Sequence, residues 1–233
     1  MITLKNYLQD FLGLFIPEIC VTCGEKLFRQ EKYICLNCFH DLPRTNFQSV
    51  NDNAVEQLFW GRVRIERAAA WFFFRKGSKY QRLIHFLKYK GLKEIGEELG
   101  RAFFCDISDF PIFDTIDIIV PVPLHKKKQK KRGYNQSEWI AMGMAKVLNV
   151  PIDSKNLFRD KYTKSQTRKS RFERWENVED IFKVEQPEIF EGKHILLVDD
   201  VVTTGSTLEA CAFALLKVEN TKVSIATLAS AII

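Results

Sequence analysis

Four of the six cysteines form two Cys-x-x-Cys pairs, Cys20 with Cys23 and Cys35 with Cys38. Two residues between thiols allow both sulfur atoms to reach one ion from a tight turn, and two such turns complete a tetrahedron. Four thiolates favour zinc and, less often, iron. The sequence therefore predicts a structural zinc site of the ribbon type, with residues 26–34 forming its small hairpin. A redox dithiol and unrelated free thiols are the alternatives, although a redox pair usually occurs once in a chain.

Two adjacent carboxylates, Asp199 and Asp200, follow the apolar run 195–198, which predicts a buried strand. A helix is expected to begin near residue 206, so residues 203–207 offer backbone N–H groups and hydroxyls to an anion. The carboxylates suit sugar hydroxyls and a magnesium ion. The pattern predicts a ribose phosphate site, with a capped helix beside incidental acids as the alternative. The expected ligand-binding residues are Asp199, Asp200, Val201, Val202, Thr203, Thr204, Gly205, Ser206 and Thr207.

Other phosphate-binding motifs are absent from this segment. It contains neither the Gly-Lys-Ser/Thr of a Walker loop nor the Gly-x-Gly-x-x-Gly of a dinucleotide fold.

A second loop with phosphate-binding character follows the short apolar run 116–122. Arg132 can clamp a charged oxygen, and the glycine after it leaves backbone N–H groups accessible. Asn135 suits the first position of a helix equally well, so a capping role is the alternative. The residues expected to contact ligand here are Arg132, Gly133, Tyr134, Asn135 and Gln136.

Six cations occupy seven consecutive positions just before that loop. This density favours a sequence-independent contact with nucleic-acid phosphates, and Tyr134 and Trp139 are close enough in sequence to stack on bases. A solvated loop that lends positive potential to the phosphate site is the alternative. The lysines concerned are Lys126, Lys127, Lys128, Lys130 and Lys131.

The elements that must position these residues alternate between strand and helix. Strands are expected at 68–74, 116–122, 190–198 and 223–228, and helices at 79–105, 135–148 and 206–217. This alternation indicates an α/β fold with a mostly parallel sheet flanked by helices. Ligands of such sheets bind at the carboxyl ends of the strands, where the carboxylates and both loops lie.

Composition excludes several classes of protein. The chain has 233 residues, 46% of them hydrophobic, and a net charge of +6, which excludes a disordered tail or a histone-like binder. Cys105 and Cys211 lie in apolar helical contexts and are expected to be buried. A composition change divides a metal module at 1–50 from a larger domain at 51–233.

Residues 1–17 have apolar residues at helical spacing but lack the features of a signal peptide, and no run is long enough to span a bilayer. We expect a short helix packed on the rest of the protein, with a membrane-surface helix as the alternative, and a cytoplasmic location.

Residues 195–208 resemble the phosphoribosyl pyrophosphate signature of class I phosphoribosyltransferases. Within that superfamily the chain resembles ComF proteins, which have a four-cysteine element before such a domain. Three further segments carry the resemblance: Phe86–Gly91, Val120–Leu124 and Arg132–Gln136. Between residues 161 and 182 it continues with Gln166, Arg171, Arg174, Asn177 and Phe182.

The resemblance implies a class I phosphoribosyltransferase-like fold preceded by a four-cysteine zinc ribbon, and binding of phosphoribosyl pyrophosphate with Mg²⁺. It also implies that Gln166, Arg171 and Arg174 belong to a hood over the substrate, although a solvated helix suits that segment too. The catalytic groups would be Asp199, Asp200, Arg171 and Arg174. The implied process is uptake of transforming single-stranded DNA, with a DNA-uptake helicase or a recombination-mediator protein as partner.

One departure affects the enzymatic expectation. Purine-salvage transferases have an acid as general base where this chain has Thr203, which cannot take a proton near neutral pH. A non-catalytic DNA-binding or adaptor protein built on the transferase fold is therefore the alternative function.

Overall fold

The computed structural model describes residues 17–107, 110, 113–160 and 181–232. Residues 1–16 of the helix expected within 1–17, and the hood residues Gln166, Arg171 and Arg174, lie outside these ranges. In the described part no helix is long and apolar enough to cross a membrane.

The elements alternate along the chain as predicted, with the metal module first. In order they are α1 (Leu36–His40), α2 (Ala54–Gln57), β1 (Ala68–Phe73), α3 (Gln81–Tyr89), α4 (Glu94–Ile107), β2 (Ile118–Pro121), α5 (Lys126–Arg132), α6 (Gln136–Leu148), β3 (Leu157–Arg159), β4 (Phe182–Val184), β5 (His194–Val202), α7 (Ser206–Leu216) and β6 (Lys222–Ser230). Short 3₁₀ turns at Phe47–Ser49 and Pro187–Ile189 complete the described elements.

The main sheet has the strand order β1-β6-β5-β2, and every pair in it is parallel. β3 and β4 form a separate antiparallel pair that brackets residues 161–180 in sequence. The predicted α/β class with a parallel sheet is confirmed.

Both faces of the sheet are buried, because side chains of β5 alternate between two core clusters. Leu196 and Val198 pack with residues of α3, α4 and α6, whereas Ile195 and Leu197 pack with residues of α7. Such two-sided burial explains why the strand reads as a continuous apolar run rather than as an alternating pattern.

Helices α4 and α6 cross at very short range because each has a glycine at the contact. A Cβ atom added at Gly100 would collide with the backbone of Ile140, and one at Gly143 would collide with the backbone of Glu97. This close approach holds α6, and the loop that precedes it, firmly against the sheet.

Three element predictions need correction. The helix expected at 79–105 is two helices, because the chain turns at Gly91 (φ +70°) between α3 and α4. The strand expected at 190–198 runs from His194 to Val202, because β6 continues to pair with it through Ser230. The basic run, expected as a loop, is helix α5; Lys, Arg and Gln are good helix formers, and the His125 side chain accepts the N–H of Lys127 at its start.

Candidate functional site

The four cysteines converge as a metal site requires. Their sulfur atoms all lie within 4.8 Å of one another, and the Sγ atoms of Cys23 and Cys35 are 3.7 Å apart. A tetrahedral zinc site with Zn–S bonds of about 2.3 Å needs sulfur atoms about 3.8 Å apart. The structure therefore brings the expected ligand set Cys20, Cys23, Cys35 and Cys38 together, and small side-chain adjustments would complete a tetrahedron around zinc.

The surroundings of the thiols shift the pKa values of Cys20 and Cys38 in opposite directions. Burial alone would raise the pKa of Cys20, but the backbone N–H groups of Cys23, Cys35 and Thr22 outweigh it and lower that pKa to about 6. Burial and the neighbouring thiols raise the pKa of Cys38 well above its usual range. Loading a metal must therefore displace protons from the cluster, and its affinity rises with pH.

The hairpin expected at 26–34 is not formed. The carboxylate of Glu31 accepts the backbone N–H groups of both Phe28 (2.6 Å) and Leu36 (2.7 Å), which folds the segment into turns. Its longer-range pairing is with the residues before it: Ile19 bridges Lys26, and the N–H of Val21 donates to the carbonyl of Tyr33 at 2.8 Å. The second cysteine pair instead begins helix α1, with the Cys35 side chain capping it.

The metal module packs directly on the rest of the protein. Cys20, Cys35 and Cys38 belong to the same core cluster as Trp71 and Phe103. Residues on both sides of the predicted boundary at residue 50 thus share one core cluster, and the boundary itself stays a prediction.

A hydrogen-bonded network reinforces that contact. Arg44 Nε and Trp71 Nε1 each donate to Asp106 Oδ2 at 2.8 Å, and the Arg44 guanidinium also donates to the carbonyls of Phe39 and His40 at the end of α1. Arg44 thus joins the last turn of α1 to both β1 and α4.

The other two thiols differ from each other. Cys211 is fully buried in α7, as predicted, whereas Cys105 is exposed on α4. The prediction for Cys105 is wrong because its position lies on the outer side of a helix whose buried residues include Phe103, Phe104 and Ile107.

The two aspartates lie near the carboxyl end of β5, beyond the last residue that pairs with β2. β2 pairs with β5 only as far as Pro121 opposite Val198, so β5 continues past the end of β2. Asp199 and Asp200 lie in this extension, next to the loop that leads from β2 into α5. The carboxyl end of β2 and the carboxylates of β5 therefore lie at the same end of the sheet, as expected for parallel strands, and we call the region that they border the cleft.

Asp199 is anchored through one of its carboxylate oxygens. Its Oδ1 accepts the Ser137 hydroxyl and the Asp200 N–H, each at 2.8 Å. Burial, together with the adjacent charge of Asp200, raises the pKa of Asp199 to about 7. A carboxyl with this pKa exchanges its proton near neutral pH. A cation or a hydroxyl donor placed at Oδ2 would stabilise its charged form.

Asp200 is held in place by an ion pair with a lysine. Lys88 Nζ lies 2.8 Å from Asp200 Oδ1, and their side chains are 21% and 11% exposed. The lysine comes from the last turn of α3, within the segment 86–91 that resembles ComF proteins. Each aspartate therefore has one oxygen held by the protein, and the described residues make no hydrogen bond to the other.

The loop after β5 presents hydroxyls to solvent above the start of α7. Thr203, Thr204, Ser206 and Thr207 are exposed, and Gly205 begins the helix with a positive φ of +73°. An eleven-residue helix directs its first N–H groups and the positive end of its dipole toward this loop. The helix expected to begin near residue 206 is confirmed, and anion binding by this loop stays a prediction. The side chains of Val201 and Val202 pack into the core, so these two residues offer only backbone to a ligand.

A second layer of residues supports this loop from below. A Cβ atom on Gly205 would lie 3.3 Å from Leu58 and Phe59. Arg62 pairs with Glu209 of α7 and donates to the carbonyl of Thr204 at 3.4 Å. The turn after α2 thus fixes the loop in place.

The loop between α5 and α6 borders the same cleft, but most of its side chains form hydrogen bonds within the protein. Asn135 accepts the N–H of Ser137 at 3.2 Å and donates to the carbonyl of Val122 at 3.0 Å, so it caps α6. Arg132 donates to the buried Gln136 at 2.6 Å. The Tyr134 hydroxyl donates to the carbonyl of Leu87 at 2.5 Å.

The lysines of α5 stand outside this arrangement. No residue of α5 is buried, and Gly133 ends the helix with a φ of +81°. Trp139, which the sequence suggests as a base-stacking residue, has Lys93 Nζ 4.6 Å from its ring centroid. The exposed side chains of α5 itself are therefore lysines and Gln129.

Sequence reasoning missed three residues of the site: Lys88, Ser137 and Arg62. Ser137 directly follows the segment 132–136, and Lys88 lies inside the segment 86–91, but neither segment shows which carboxylate it will meet. Arg62 gives no sequence signal, since it acts on a loop 142 residues later in the chain.

Comparison with protein families gives the class of the part of the chain that contains the two aspartates and the loop after β5. Residues 135–232 match the phosphoribosyl transferase domain family. Two solved structures align with low TM-scores of 0.41 and 0.39. They are the allosteric regulatory enzyme of purine biosynthesis (19% identity, 58% of this chain, 25% of that chain) and the glutamine phosphoribosylpyrophosphate amidotransferase from B. subtilis (20%, 59% and 26%).

Curated relatives are similar over much more of the chain. The DNA utilization protein YhgH of Escherichia coli K12 is 30% identical over 206 residues, which is 85% of this chain and 84% of that protein. Competence protein ComFC of Bacillus subtilis is 29% identical over 205 residues (86% and 78%), and competence protein F of Haemophilus influenzae is 31% identical over 130 residues (54% and 57%). The chain belongs to the ComF family.

Proposed function

We propose that this protein binds phosphoribosyl pyrophosphate together with Mg²⁺ and acts in the handling of single-stranded DNA during uptake. One observation carries the first part: two carboxylates, each anchored through one oxygen, lie beside an exposed hydroxyl-rich loop at a helix start.

The ligand's parts match the two halves of this site. The N–H groups at the start of α7 and the hydroxyls of residues 203–207 suit a 5′-phosphate. The outward oxygens of Asp199 and Asp200 suit ring hydroxyls and are hard ligands of the kind that Mg²⁺ prefers. When bound, the ion would neutralise charge on the pyrophosphate, and these two aspartates are the residues to hold it.

The loop after β5 supplies groups that position a ligand and has no acid at the place of the purine-salvage base. Thr203 occupies the place of the purine-salvage base and cannot accept a proton near neutral pH. The Arg132–Gln136 loop lies at the pyrophosphate side of the cleft in this proposal. Pyrophosphate release would then depend on an acceptor whose nucleophile reacts without a general base at position 203.

The DNA role is supported by the relatives' names and by α5. The relatives are named for DNA utilization and competence. Helix α5 has six cations, no buried residue and no acidic residue within it, so it is suited to a backbone-directed contact with phosphates. The same helix supports the second candidate, a DNA-binding adaptor that uses the ligand site without catalysis.

Calorimetry with phosphoribosyl pyrophosphate in the presence and absence of Mg²⁺ tests the ligand. We expect binding by the wild type that requires the ion, and loss of at least about tenfold in affinity for Asp199→Asn and Asp200→Asn. Asp114→Asn, an exposed carboxylate outside the cleft, is the matched control. Absence of binding by the wild type would falsify the ligand proposal.

Salt-dependent binding of a single-stranded oligonucleotide tests α5. We expect the triple change of Lys126, Lys127 and Lys130 to Gln to weaken binding and to lower the slope of log K against log salt by about 2. The matched control is the change of Lys76, Lys155 and Lys193 to Gln, which removes the same charge elsewhere. Equal effects of both triples would show that only net charge matters. Binding of DNA without pyrophosphate release from any ligand mixture would favour the adaptor.

A further inference from the structure

The ion pair between Lys88 and Asp200 is the strongest feature of the cleft to which nothing above gives a functional role. Its two atoms are 2.8 Å apart, and both side chains are largely withdrawn from solvent. Burying a carboxylate carries a desolvation cost that only a close cation or several hydrogen bonds can offset. Among the described residues Lys88 is the cation in contact with this aspartate pair.

The backbone under Lys88 is fixed from both sides. The carbonyl of Leu87, the preceding residue, accepts the Tyr134 hydroxyl at 2.5 Å, so the end of α3 is tied to the loop before α6. At the other end of α3 the Tyr80 hydroxyl donates to the carbonyl of Cys38 at 3.1 Å. The lysine therefore reaches into the cleft from an anchored helix rather than from a mobile loop.

We propose that Lys88 is a positioning residue that orients Asp200, so that the site selects ligands with ring hydroxyls over ligands with a phosphate alone. This rests on the proposed function. Lys88 occupies Oδ1 of Asp200, which leaves Oδ2 for a ligand hydroxyl. Ser137 holds Oδ1 of Asp199 in the same way, so each aspartate keeps one carboxylate oxygen for the ligand.

The phosphate half of the site does not involve Lys88. The loop at residues 203–207 is supported by Leu58, Phe59 and Arg62, which come from a different part of the chain. Loss of Lys88 should therefore weaken the recognition of the sugar without weakening the recognition of a free phosphate. A merely structural ion pair would affect both or neither.

The experiment compares the affinities of ribose 5-phosphate and inorganic phosphate at one fixed Mg²⁺ concentration. For Lys88→Met we expect the affinity for ribose 5-phosphate to fall about tenfold, since an oriented hydrogen bond to a charged group contributes about that much. The affinity for inorganic phosphate should stay unchanged. Lys88→Arg, which keeps the charge, should recover most of the difference.

Lys90→Met is the matched control, because it removes the same charge from an exposed position two residues away. If the wild type binds phosphoribosyl pyrophosphate but Lys88→Met keeps the full preference for ribose 5-phosphate, the role of Lys88 is wrong and the proposed function stands. An equal loss for both probes also overturns it, since that result indicates a structural pair. If the wild type binds no phosphoribosyl ligand at all, both proposals fail together.

Discussion

The hydroxyl of Tyr80 donates a hydrogen bond of 3.1 Å to the carbonyl oxygen of Cys38, a zinc-ligand position. Tyr80 directly precedes α3, whose last turn holds Lys88 against Asp200. One nine-residue helix therefore spans the distance between the four-cysteine cluster and the carboxylates. The metal module therefore supports the ligand site, and we expect loss of the metal to destabilise the whole protein.

Metal removal is expected to destabilise the whole chain in a single transition. Cys20, Cys35 and Cys38 are buried in the same cluster as Trp71 and Phe103, so the module has no core of its own. A chelator, or Cys38→Ser, should lower the free energy of unfolding by about 3 kcal/mol or more, which corresponds to roughly 10 °C in Tm. Far-ultraviolet circular dichroism and tryptophan fluorescence should report the same midpoint.

Cys105→Ser is the control for this prediction, since it changes an exposed thiol away from the cluster. Two separate transitions, or a Tm that is unaffected after zinc has been shown to leave, would mean that the module folds independently.

Ser137→Ala should weaken ligand binding more than it weakens the fold. The substitution removes the hydroxyl that anchors Asp199 at 2.8 Å but leaves the cap made by Asn135 in place. We expect a loss of about 1 kcal/mol in stability and about tenfold in affinity for phosphoribosyl pyrophosphate. Titration calorimetry and urea unfolding on the same samples measure both. Ser154→Ala, on an exposed loop, should change neither quantity; an unaltered affinity for Ser137→Ala would remove this serine from the site.

Gly205→Ala should abolish phosphate recognition at the start of α7. Its φ of +73° costs a residue with a Cβ about 1–2 kcal/mol, and that Cβ would press on Leu58 and Phe59. The loop must then shift away from its support. Gly192→Ala is matched in conformation, with φ +67°, but its added Cβ meets nothing within 4 Å.

The two variants should therefore lose similar conformational energy and differ in ligand affinity. Thermal unfolding and calorimetry with inorganic phosphate make the comparison. If both bind phosphate as the wild type does, the start of α7 is not the phosphate site.

Sequence patterns were informative where the chemistry is local in the chain. The cysteine spacing, the apolar run before Asp199 and the hydroxyls around Gly205 each lie within a short segment, and the structure confirms the elements that carry them. The extent of β5 was not predictable in this way, because its last residues are set by pairing with β6.

The contacts that orient the site are non-local and could not be predicted from the sequence. Lys88 meets Asp200 only because α3 packs beside the sheet, and Ser137 meets Asp199 only because the α4–α6 contact fixes α6. Local propensity also decided α5, where good helix formers outweighed the repulsion between neighbouring lysines. Residue types thus suggest a ligand class, which stays a prediction, whereas the orientation of each carboxylate depends on the packed fold.

His194 predicts how stability depends on pH. Its ring lies between the hydroxyls of Thr115 (2.8 Å) and Ser224 (2.9 Å) at the start of β5, and burial lowers its pKa below the ordinary 6.5. As the pH falls through 6.5, this histidine becomes protonated in the unfolded chain but stays neutral in the folded chain. The free energy of unfolding therefore decreases as the pH is lowered. Between the unfolded and the folded pKa of His194, the free energy of unfolding changes by up to about 1.4 kcal/mol per pH unit. His194→Gln keeps polar contacts to both hydroxyls and removes the titration. The difference in urea-unfolding free energy between wild type and variant should therefore shrink from about pH 8 to about pH 5, and a constant difference over that range would show that His194 stays proton-accessible in the fold.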